Sequence, residues 1–587
     1  MGLSEDVEDK SLVRLKGVVS CCPFSLKATR QTTKTINAKE KQMRLDKCCA
    51  VPEWQRARDE QHTLGACSQS PVLLGFREPC TPAPHLVHIR SLKMSIRTPP
   101  TLQHLALQSL LSKESQAISV LEDLPVLLFP PLFMEVYAQG RTEVLKAMVQ
   151  AWPFPCLPLG DLAESPDLET FKAVLDGLDL LLLAKKERPR RWKLQVVDLR
   201  KAHPEIWIRG YPSMAQISAP HVLTERPTDS RLSVGTEEQP LILASDLIIR
   251  DGTQDAFQAY LLQWARKRKG RVQLCSTKLQ ILSGSISKIQ KALHAVRLDS
   301  IQELVVNNFW HLETMRKFAP SLDQMKNLCL LTFSKMSVDF YTCSRRNLWY
   351  SGKYAVHLGQ LQHLRELRVH DVFFLYGRLP AILSSLTPLN TLSLSSCPLK
   401  EADLRFLCQC PCTRQLKHLR LRSVCMGRFS PEPLRALLEQ VAGTLETLAL
   451  EHCDITDAQL SAMLPALSQC SQLRFLSFYG NHISVAALHN LLRHTARLGH
   501  LSRGLYPAPL ESYRPPHWGL GSLDPERFAQ VRARLEQALR DMGPNQKVQI
   551  CTDFCHRRQK GQFYSLGPDG SWMLTHEGLP SLSDLPM

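Results

Sequence analysis

Long hydrophobic runs are absent from this sequence of 587 residues. A transmembrane helix needs about 18–20 consecutive apolar residues, and the most apolar stretch, 124–133, contains Pro125, Pro130 and Pro131. The first ten residues carry four acidic side chains, whereas a secretory signal peptide begins with basic residues. We therefore expect a protein without a membrane span, located in the cytoplasm, the nucleus or both.

Motifs of catalysis and metal binding are also missing. There is no phosphate-binding loop, HExxH, G-x-S-x-G or dinucleotide fingerprint. The 19 cysteines include adjacent pairs and the run Cys408-Gln-Cys410-Pro-Cys412. A zinc site instead requires two pairs of ligands, with two to four residues between the two members of a pair. We expect free thiols, no enzymatic activity, no cofactor and no metal.

Acidic residues are fewer than basic ones, and the formal net charge is +17. Residues 1–93 contain 15 basic and 10 acidic residues, so +5 of this charge lies there and +12 in the remainder. A basic excess spread over the chain favours a role in solubility, or attraction to an acidic partner, over a nucleic-acid groove. We expect no direct binding of nucleic acid.

The chain divides by pattern into five segments. Residues 1–93 show no sustained apolar period, which predicts a mostly disordered extension. Residues 94–184 carry amphipathic patterns and predict a helical cap. Residues 185–300 predict irregular early repeats with a loop insertion, 301–510 regular repeats, and 511–587 a C-terminal cap and tail.

An internal repeat with the template L-x-x-L-x-L-x-x-N/C-x-L is the most specific signal. Leu389, Leu392, Leu394, Cys397 and Leu399 match every position. Successive copies begin at residues 301, 328, 364, 389, 416, 445 and 473. Spacings of 25–29 residues are typical of leucine-rich repeats, and one spacing of 36 indicates an insertion.

Each copy predicts one strand and one helix. Leu-x-Leu alternation predicts a strand, the Cys or Asn position turns the chain and satisfies backbone groups at the corner, and an amphipathic helix follows. One repeat cannot bury its own apolar face, so the copies stack. The sequence predicts an α/β leucine-rich-repeat solenoid: a horseshoe with parallel strands on its concave face, helices on its convex face and a helical N-terminal cap.

Several segments resemble the PRAME family, the relatives of preferentially expressed antigen in melanoma. They are 95–102 (SIRTPPTL), 128–134 (LFPPLFM), 148–154 (MVQAWPF), 173–178 (AVLDGL), 188–196 (RPRRWKLQV) and 505–509 (LYPAP). The resemblance implies a non-enzymatic substrate-recognition subunit of an Elongin–cullin ubiquitin ligase, which directs targets to proteasomal degradation. It also implies repression of retinoic-acid-receptor signalling and effects on differentiation, proliferation and apoptosis.

The resemblance further implies a ligase-binding surface in the cap. An Elongin-binding helix resembles S-L-x-x-x-C-x-x-x-Φ, and a hydrophobic-Pro segment downstream contacts the cullin. The residues that would form these two elements are Ser109, Leu110, Ile118, Leu124, Pro125 and Leu128. Glu114 occupies the small Cys position, and a carboxylate entering an apolar pocket must be neutralised or paired. The alternative is an ordinary amphipathic helix packed on the repeats.

Two other functions compete with the ligase subunit. L-x-x-L-L begins at Leu107, Leu124, Leu178, Leu434 and Leu488, and such a helix can dock in a nuclear-receptor groove. A transcriptional corepressor that binds the retinoic acid receptor is therefore one alternative. The same spacing is what a buried helix stripe requires, and a plain repeat scaffold is the other alternative.

The strand positions between the leucines point away from the core and are expected to bind the target. Candidate target-binding residues are Arg368, His370, Arg420, Arg422, Glu451, Phe475 and Tyr479. Arginine forks on one face can hold an acidic segment, bordered here by the two aromatic residues. The alternative is a surface ion-pair network that contributes little.

Removal of residues 1–93 tests whether the extension supports the fold. Because this segment lacks apolar periodicity, we expect a chain that begins at Met94 to melt at the same temperature as the full chain. Thermal unfolding monitored by circular dichroism measures this. A midpoint lower by several degrees would instead make the extension structural.

Overall fold

The computed structural model describes residues 101–160, 162, 167–183, 192–201, 207, 239–253, 255–335, 356–372, 375–384, 386–514, 523–540, 547–552, 561–567 and 572–578. The predicted extension 1–93, most of the predicted loop insertion and the insertion after residue 335 lie outside these residues. No helix within them is long and apolar enough to cross a membrane.

Five helices make up the N-terminal part of the described chain. They are α1 Leu102–Leu111, α2 Glu114–Ser119, α3 Phe129–Ala138, α4 Thr142–Gln150 and α5 Leu168–Leu183. Trp152 is fully buried among them, with its ring centroid 5.1 Å from Phe133 and 6.4 Å from Phe129. Its indole Nε1 donates to the carbonyl of Cys156, so this aromatic cluster has no unsatisfied indole N–H at its centre.

Eighteen strands form two sheets in the described residues. They are β1 Cys156–Pro158, β2 Val196–Asp198, β3 Leu241–Ala244, β4 Leu247–Arg250, β5 Val272–Cys275, β6 Lys278–Leu282, β7 Val296–Arg297, β8 Glu303–Asn307, β9 Leu330–Ser334, β10 Glu366–His370, β11 Thr391–Ser395, β12 His418–Arg422, β13 Thr447–Glu451, β14 Phe475–Ser477, β15 Arg503–Pro507, β16 Lys547–Cys551, β17 Gly561–Leu566 and β18 Trp572–Gly578.

The larger sheet has 13 strands, in the order β4-β6-β8-β9-β10-β11-β12-β13-β14-β15-β16-β17-β18. Strands β4 to β16 pair in parallel, and only β17 and β18 are antiparallel. The smaller sheet is parallel, with the order β1-β2-β3-β5-β7. Because strand order follows chain order, each unit lies beside its neighbours in sequence.

Helices follow the strands through most of the repeat region. They are α6 Ala256–Lys267, α7 Ile286–Leu293, α8 Leu312–Leu322, α9 Leu379–Leu383, α10 Glu401–Leu407, α11 Glu432–Val441, α12 Asp457–Ser468, α13 Val485–Thr495 and α14 Pro525–Arg540. The predicted capping box of α12 is present: Gln459 N donates to Thr456 Oγ1, and Thr456 N donates to Gln459 Oε1. The protein is thus a mixed α/β fold of helices and parallel sheets.

The predicted alternation of the repeat strands is confirmed. In β11, Leu392 and Leu394 are fully buried, and Leu419 and Leu421 occupy the same positions in β12. At about 25 cal/mol per Å² of apolar area, each buried leucine contributes roughly 2 kcal/mol of transfer free energy. The leucine rows therefore fix the register of neighbouring strands, because a shift of one residue would expose them.

Polar side chains satisfy the backbone where each strand turns into its corner. Asn481 accepts hydrogen bonds from Cys453 N and Ile455 N through Oδ1, and donates through Nδ2 to Leu450 O and Phe478 O. Cys453 donates to Leu421 O, and Cys397 in the equivalent position donates to Val369 O. The role predicted for the Cys or Asn position is confirmed.

A left-handed backbone residue recurs just before that corner, which sequence reasoning did not predict. Positive φ angles occur in successive repeats at Asp371, Ser396, Ser423, His452 and Gly480. A Cβ on Gly480 would collide with the imidazole of His452, so glycine is required there on steric grounds. At the other four positions the repeat accepts strain of roughly 1–2 kcal/mol per residue.

Removal of the Asn481 amide tests how much the corner contributes. Asn481→Ala leaves buried backbone groups of two repeats without partners, so we expect a loss of about 2–4 kcal/mol in the free energy of unfolding. Urea denaturation followed by circular dichroism measures it. Asn490→Ala, at an exposed position of α13, is the matched control and should change the unfolding free energy by less than about 0.5 kcal/mol. Equal effects would contradict the role of the corner.

Candidate target-binding face

The side of the 13-stranded sheet opposite the leucine rows carries the predicted target-binding residues. Arg368 of β10, Ser393 of β11 and Arg420 of β12 are aligned in register. His370, Ser395 and Arg422 form the next row, and Glu451 of β13 continues it. The structure therefore brings the arginines of two repeats to the same side of the sheet, separated by the small side chains of β11.

Two ion pairs form between side chains of this face. Arg368 Nη2 donates to Glu366 Oε2 at 2.7 Å, and Arg422 Nε lies 3.9 Å from Glu451 Oε2. Glu451 is buried, and its Oε1 accepts a hydrogen bond of 2.7 Å from Ser477 Oγ. Two separate ion pairs of the kind considered as the alternative are therefore present, and Glu451 is held within the sheet face rather than presented to solvent.

Burial perturbs the cations and imidazoles of the face. Burial, together with the nearby Arg368 guanidinium, lowers the pKa of Arg420 from its ordinary value. Burial and the charge of Arg420 lower the pKa of His418, and burial also lowers the pKa of His370. Guanidinium groups remain charged at neutral pH, so the arginines supply positive charge while both histidines are neutral.

The solvent exposure of the side chains differs along this face of the sheet. Glu366, Arg368, His370, Ser393, Ser395, Arg420 and Arg422 are all half-buried and accessible from one side. Phe475 and Tyr479 are 1% and 0% exposed. Phe475 packs with Ala449, and Tyr479 packs with Leu505, Cys551 and Phe563. The prediction that these two aromatic residues border the binding site is wrong, because side chains from neighbouring strands, earlier in the chain for Phe475 and later for Tyr479, bury them.

Sequence reasoning also missed some polar support of the face. Ser477 holds Glu451, and Thr447 Oγ1 lies 3.0 Å from His418 Nδ1. The repeat alignment carries a signal for Ser477, since it stands in the same register position as Ala449 and Arg420. That alignment does not indicate which side chains meet across the strands.

The predicted ligase-binding residues are distributed over separate elements. Ser109 and Leu110 lie on α1, Ile118 on α2, and Leu128 in a 3₁₀ turn, Val126–Leu128. The predicted single helix through 109–118 is wrong, because α1 ends at Leu111 and α2 starts at Glu114.

The predicted ligase-binding residues differ in their solvent exposure. Ser109, Ile118 and Pro125 are exposed, Leu110 and Leu128 are half-buried, and Leu124 is buried. Leu124 therefore belongs to the core and cannot contact a partner without rearrangement.

Glu114 does not enter an apolar pocket in this structure. It is exposed and forms a 3.1 Å ion pair with Arg141 Nη1, which also donates to Leu111 O. Arg141 thereby ties the start of α2 to the end of α1 and to the start of α4. The carboxylate that departs from the predicted Elongin-binding pattern has a structural role at the break between two helices.

Exposed apolar side chains are concentrated in the helical part. Seven of the thirteen large hydrophobic side chains that the structure shows as exposed fall within residues 101–183. They are Leu102, Leu105, Ile118, Leu127, Met134, Leu180 and Leu183. These side chains belong to four helices and one 3₁₀ turn, Val126–Leu128.

Most L-x-x-L-L segments supply core leucines. All three leucines are buried in the copies that begin at Leu434 and Leu488, and two of three in those at Leu107 and Leu178. In the copy at Leu124 only the middle leucine, Leu127, is exposed, and that segment contains a 3₁₀ turn rather than an α-helix. None presents the helical leucine stripe that a receptor groove requires.

Cysteines of the described chain are free thiols. Cys410 Sγ and Cys412 Sγ lie 2.8 Å apart and are buried. Within the described ranges no three His, Cys, Asp or Glu side chains are grouped to hold a metal ion.

Comparison with known proteins gives consistent matches over the described chain. The model of the PRAME N-terminal domain matches residues 99–207, and that of the PRAME C-terminal domain matches residues 241–570. Human PRAME family member 12 is 46% identical over 476 residues, which cover 81% of this chain and 97% of that protein. Human PRAME family member 8 is 44% identical, with 81% and 99% covered. None of these descriptions names a catalytic activity.

Proposed function

The chain belongs to the PRAME family, and we propose that it is the target-recognition subunit of a cullin-RING ubiquitin ligase. The observation that carries this proposal is the separation of two surfaces. Exposed apolar side chains are concentrated on the N-terminal helices and the turn between them, whereas an open charged face lies on strands β10 to β12. An adaptor needs both, because it must hold the ligase and the target at the same time. The result would be ubiquitin-dependent proteasomal degradation of the target, with consequences for differentiation, proliferation and apoptosis.

We further propose that the repeat array curves as a horseshoe with the charged face inside. Neighbouring strands are about 4.8 Å apart, whereas packed helices are about 8–10 Å apart. Helix α12 packs on both α11 and α13, so the helical side of these repeats needs more length than the strand side. A stack with this mismatch bends toward its strands, and a concave strand face can surround a segment of a target protein.

The proposed ligase-binding surface consists of the exposed side chains of the N-terminal helices. Leu102 is 86% exposed and Leu127 is 59% exposed. Both can be buried by a partner without disturbing the core, in contrast to Leu124. Pro125 and Ile118 from the sequence prediction are exposed, and we include them in this proposed surface. Elongin and cullin subunits in the cell nucleus or cytoplasm are the proposed partners.

Charge reversal on the sheet tests target recognition. Arg420→Glu with Arg422→Glu turns two cations of the open face into anions, so we expect recovery of the target to fall at least about tenfold through lost charge-assisted hydrogen bonds and added repulsion. Affinity purification of the full chain with quantitative mass spectrometry measures this. Arg493→Glu with Arg497→Glu, at exposed positions in and after α13, changes net charge equally and should retain the target.

Polar substitution on the helices tests ligase binding. Leu102→Ser with Leu127→Ser removes two exposed apolar side chains, so recovery of Elongin and cullin should fall about tenfold or more while the melting curve is unchanged. Leu510→Ser, which replaces an exposed leucine near β15, is the matched control. Undiminished recovery of both ligase subunits would exclude this surface. Recovery of a nuclear receptor without ligase subunits would support the corepressor alternative instead.

A further inference from the structure

The open face of β10 to β12 has a composition that distinguishes it from an ordinary charged surface. Its three arginines lie on the two strands that flank β11, whose half-buried residues Ser393 and Ser395 carry small hydroxyl side chains. Strand spacing of about 4.8 Å places the Cα atoms of Arg368 and Arg420 roughly 10 Å apart across Ser393. Two long side chains therefore flank a shallow floor that can donate hydrogen bonds.

The charges of this cluster do not cancel. Arg368, Arg420 and Arg422 contribute three positive charges, and Glu366 and Glu451 contribute two negative charges. Glu366 pairs with Arg368, while Glu451 is turned toward Ser477 and lies 3.9 Å from Arg422. Burial lowers the pKa of Arg420, repulsion from the Arg368 guanidinium lowers it further, and the carboxylates of Glu451 and Glu366 act in the opposite direction. An anion between these two guanidinium groups would relieve that repulsion.

A phosphate group fits this arrangement better than a carboxylate does. A single arginine fork already satisfies both oxygens of a carboxylate in one plane. A phosphate monoester has three acceptor oxygens in a tetrahedral arrangement and about two negative charges at pH 7. It can therefore bind a guanidinium on each side and a serine hydroxyl below at the same time.

From this geometry we infer that Arg368, Ser393 and Arg420 bind the phosphate of a phosphoserine or phosphothreonine in the target protein, with Arg422 beside them. This inference rests on the proposed function, since it names the feature of the target that the sheet face recognises. Glu366 disfavours a nucleic acid, because a continuous row of phosphates would pass over its half-buried carboxylate. Recognition of the target would consequently depend on a protein kinase.

A peptide array tests this inference with the full chain. The array holds each serine- or threonine-centred sequence in three forms: phosphorylated, unphosphorylated and with glutamate at the centre. We expect binding to a subset of phosphorylated forms and little binding to the other two. Fluorescence anisotropy then gives the dissociation constant of the best phosphopeptide for each variant.

Substitutions assign the binding to the named residues. Arg368→Gln and Arg420→Gln should each weaken the phosphopeptide about tenfold or more, because each removes a charge-assisted hydrogen-bond donor. Ser393→Asp should abolish binding by repulsion, whereas Ser393→Ala should weaken it modestly. Arg493→Gln should leave the dissociation constant unchanged, and melting curves verify that each variant folds.

Several outcomes overturn the inference. Equal binding of glutamate and phosphorylated forms would assign the face to acidic segments, and absence of any preference for phosphorylated forms would exclude the site. Competition by a random oligonucleotide at the same concentration as the phosphopeptide would assign it to phosphodiesters. If target capture requires Arg420 and Arg422 but survives phosphatase treatment of the target, the proposed function stands and only the phosphate site fails. If capture does not require these arginines, both fail.

Discussion

The structure depends on one constraint: no repeat can bury its own leucines. Leu392 and Leu394 of β11 are fully buried because the strands on both sides continue the same rows with Leu367, Val369, Leu419 and Leu421. Each unit therefore gains its apolar burial from its neighbours, and the buried side chains join into one continuous core between Leu107 and Ile550. Asn481 and the buried cysteines serve the same constraint, because they satisfy backbone groups of adjacent repeats at corners that water cannot reach.

The other face of the same sheet does not have to bury leucine rows, and its amino-acid composition varies from strand to strand. Neighbouring strands present arginines, hydroxyl residues, arginines again and then a buried glutamate. Packing does not demand these residue types, since the leucine rows already hold the strands. A cluster with net positive charge on a rigid sheet is preorganised for an anion, so little ordering of the protein is needed when a partner binds.

The helical N-terminal part has a different balance between core and surface. Trp152 and its aromatic neighbours supply a dense core, yet seven large hydrophobic side chains remain exposed around it. The ion pair between Glu114 and Arg141 stabilises the break between α1 and α2. This break separates residues that a single helix would have placed on one stripe, and it presents Leu102 and Ile118 on different elements.

Local pattern determined much of this protein. The leucine spacing specified the strands, the side of each strand that faces the core and the helices that follow. The Cys or Asn position specified the corners. Both signals are local, because these features depend on residues within a few positions of one another. The sequence also placed Arg368, Arg420 and Arg422 on one side of the sheet. Only the tertiary structure decided that Tyr479 is buried, since Leu505, Cys551 and Phe563 come from strands later in the chain. It also decided the burial of Phe475, which packs with Ala449 of the neighbouring strand β13. The ion pair of Glu114 was also decided by the tertiary structure, because its partner Arg141 lies 27 residues away. The left-handed residue in successive repeats is likewise imposed by the geometry of the corner rather than by one residue type.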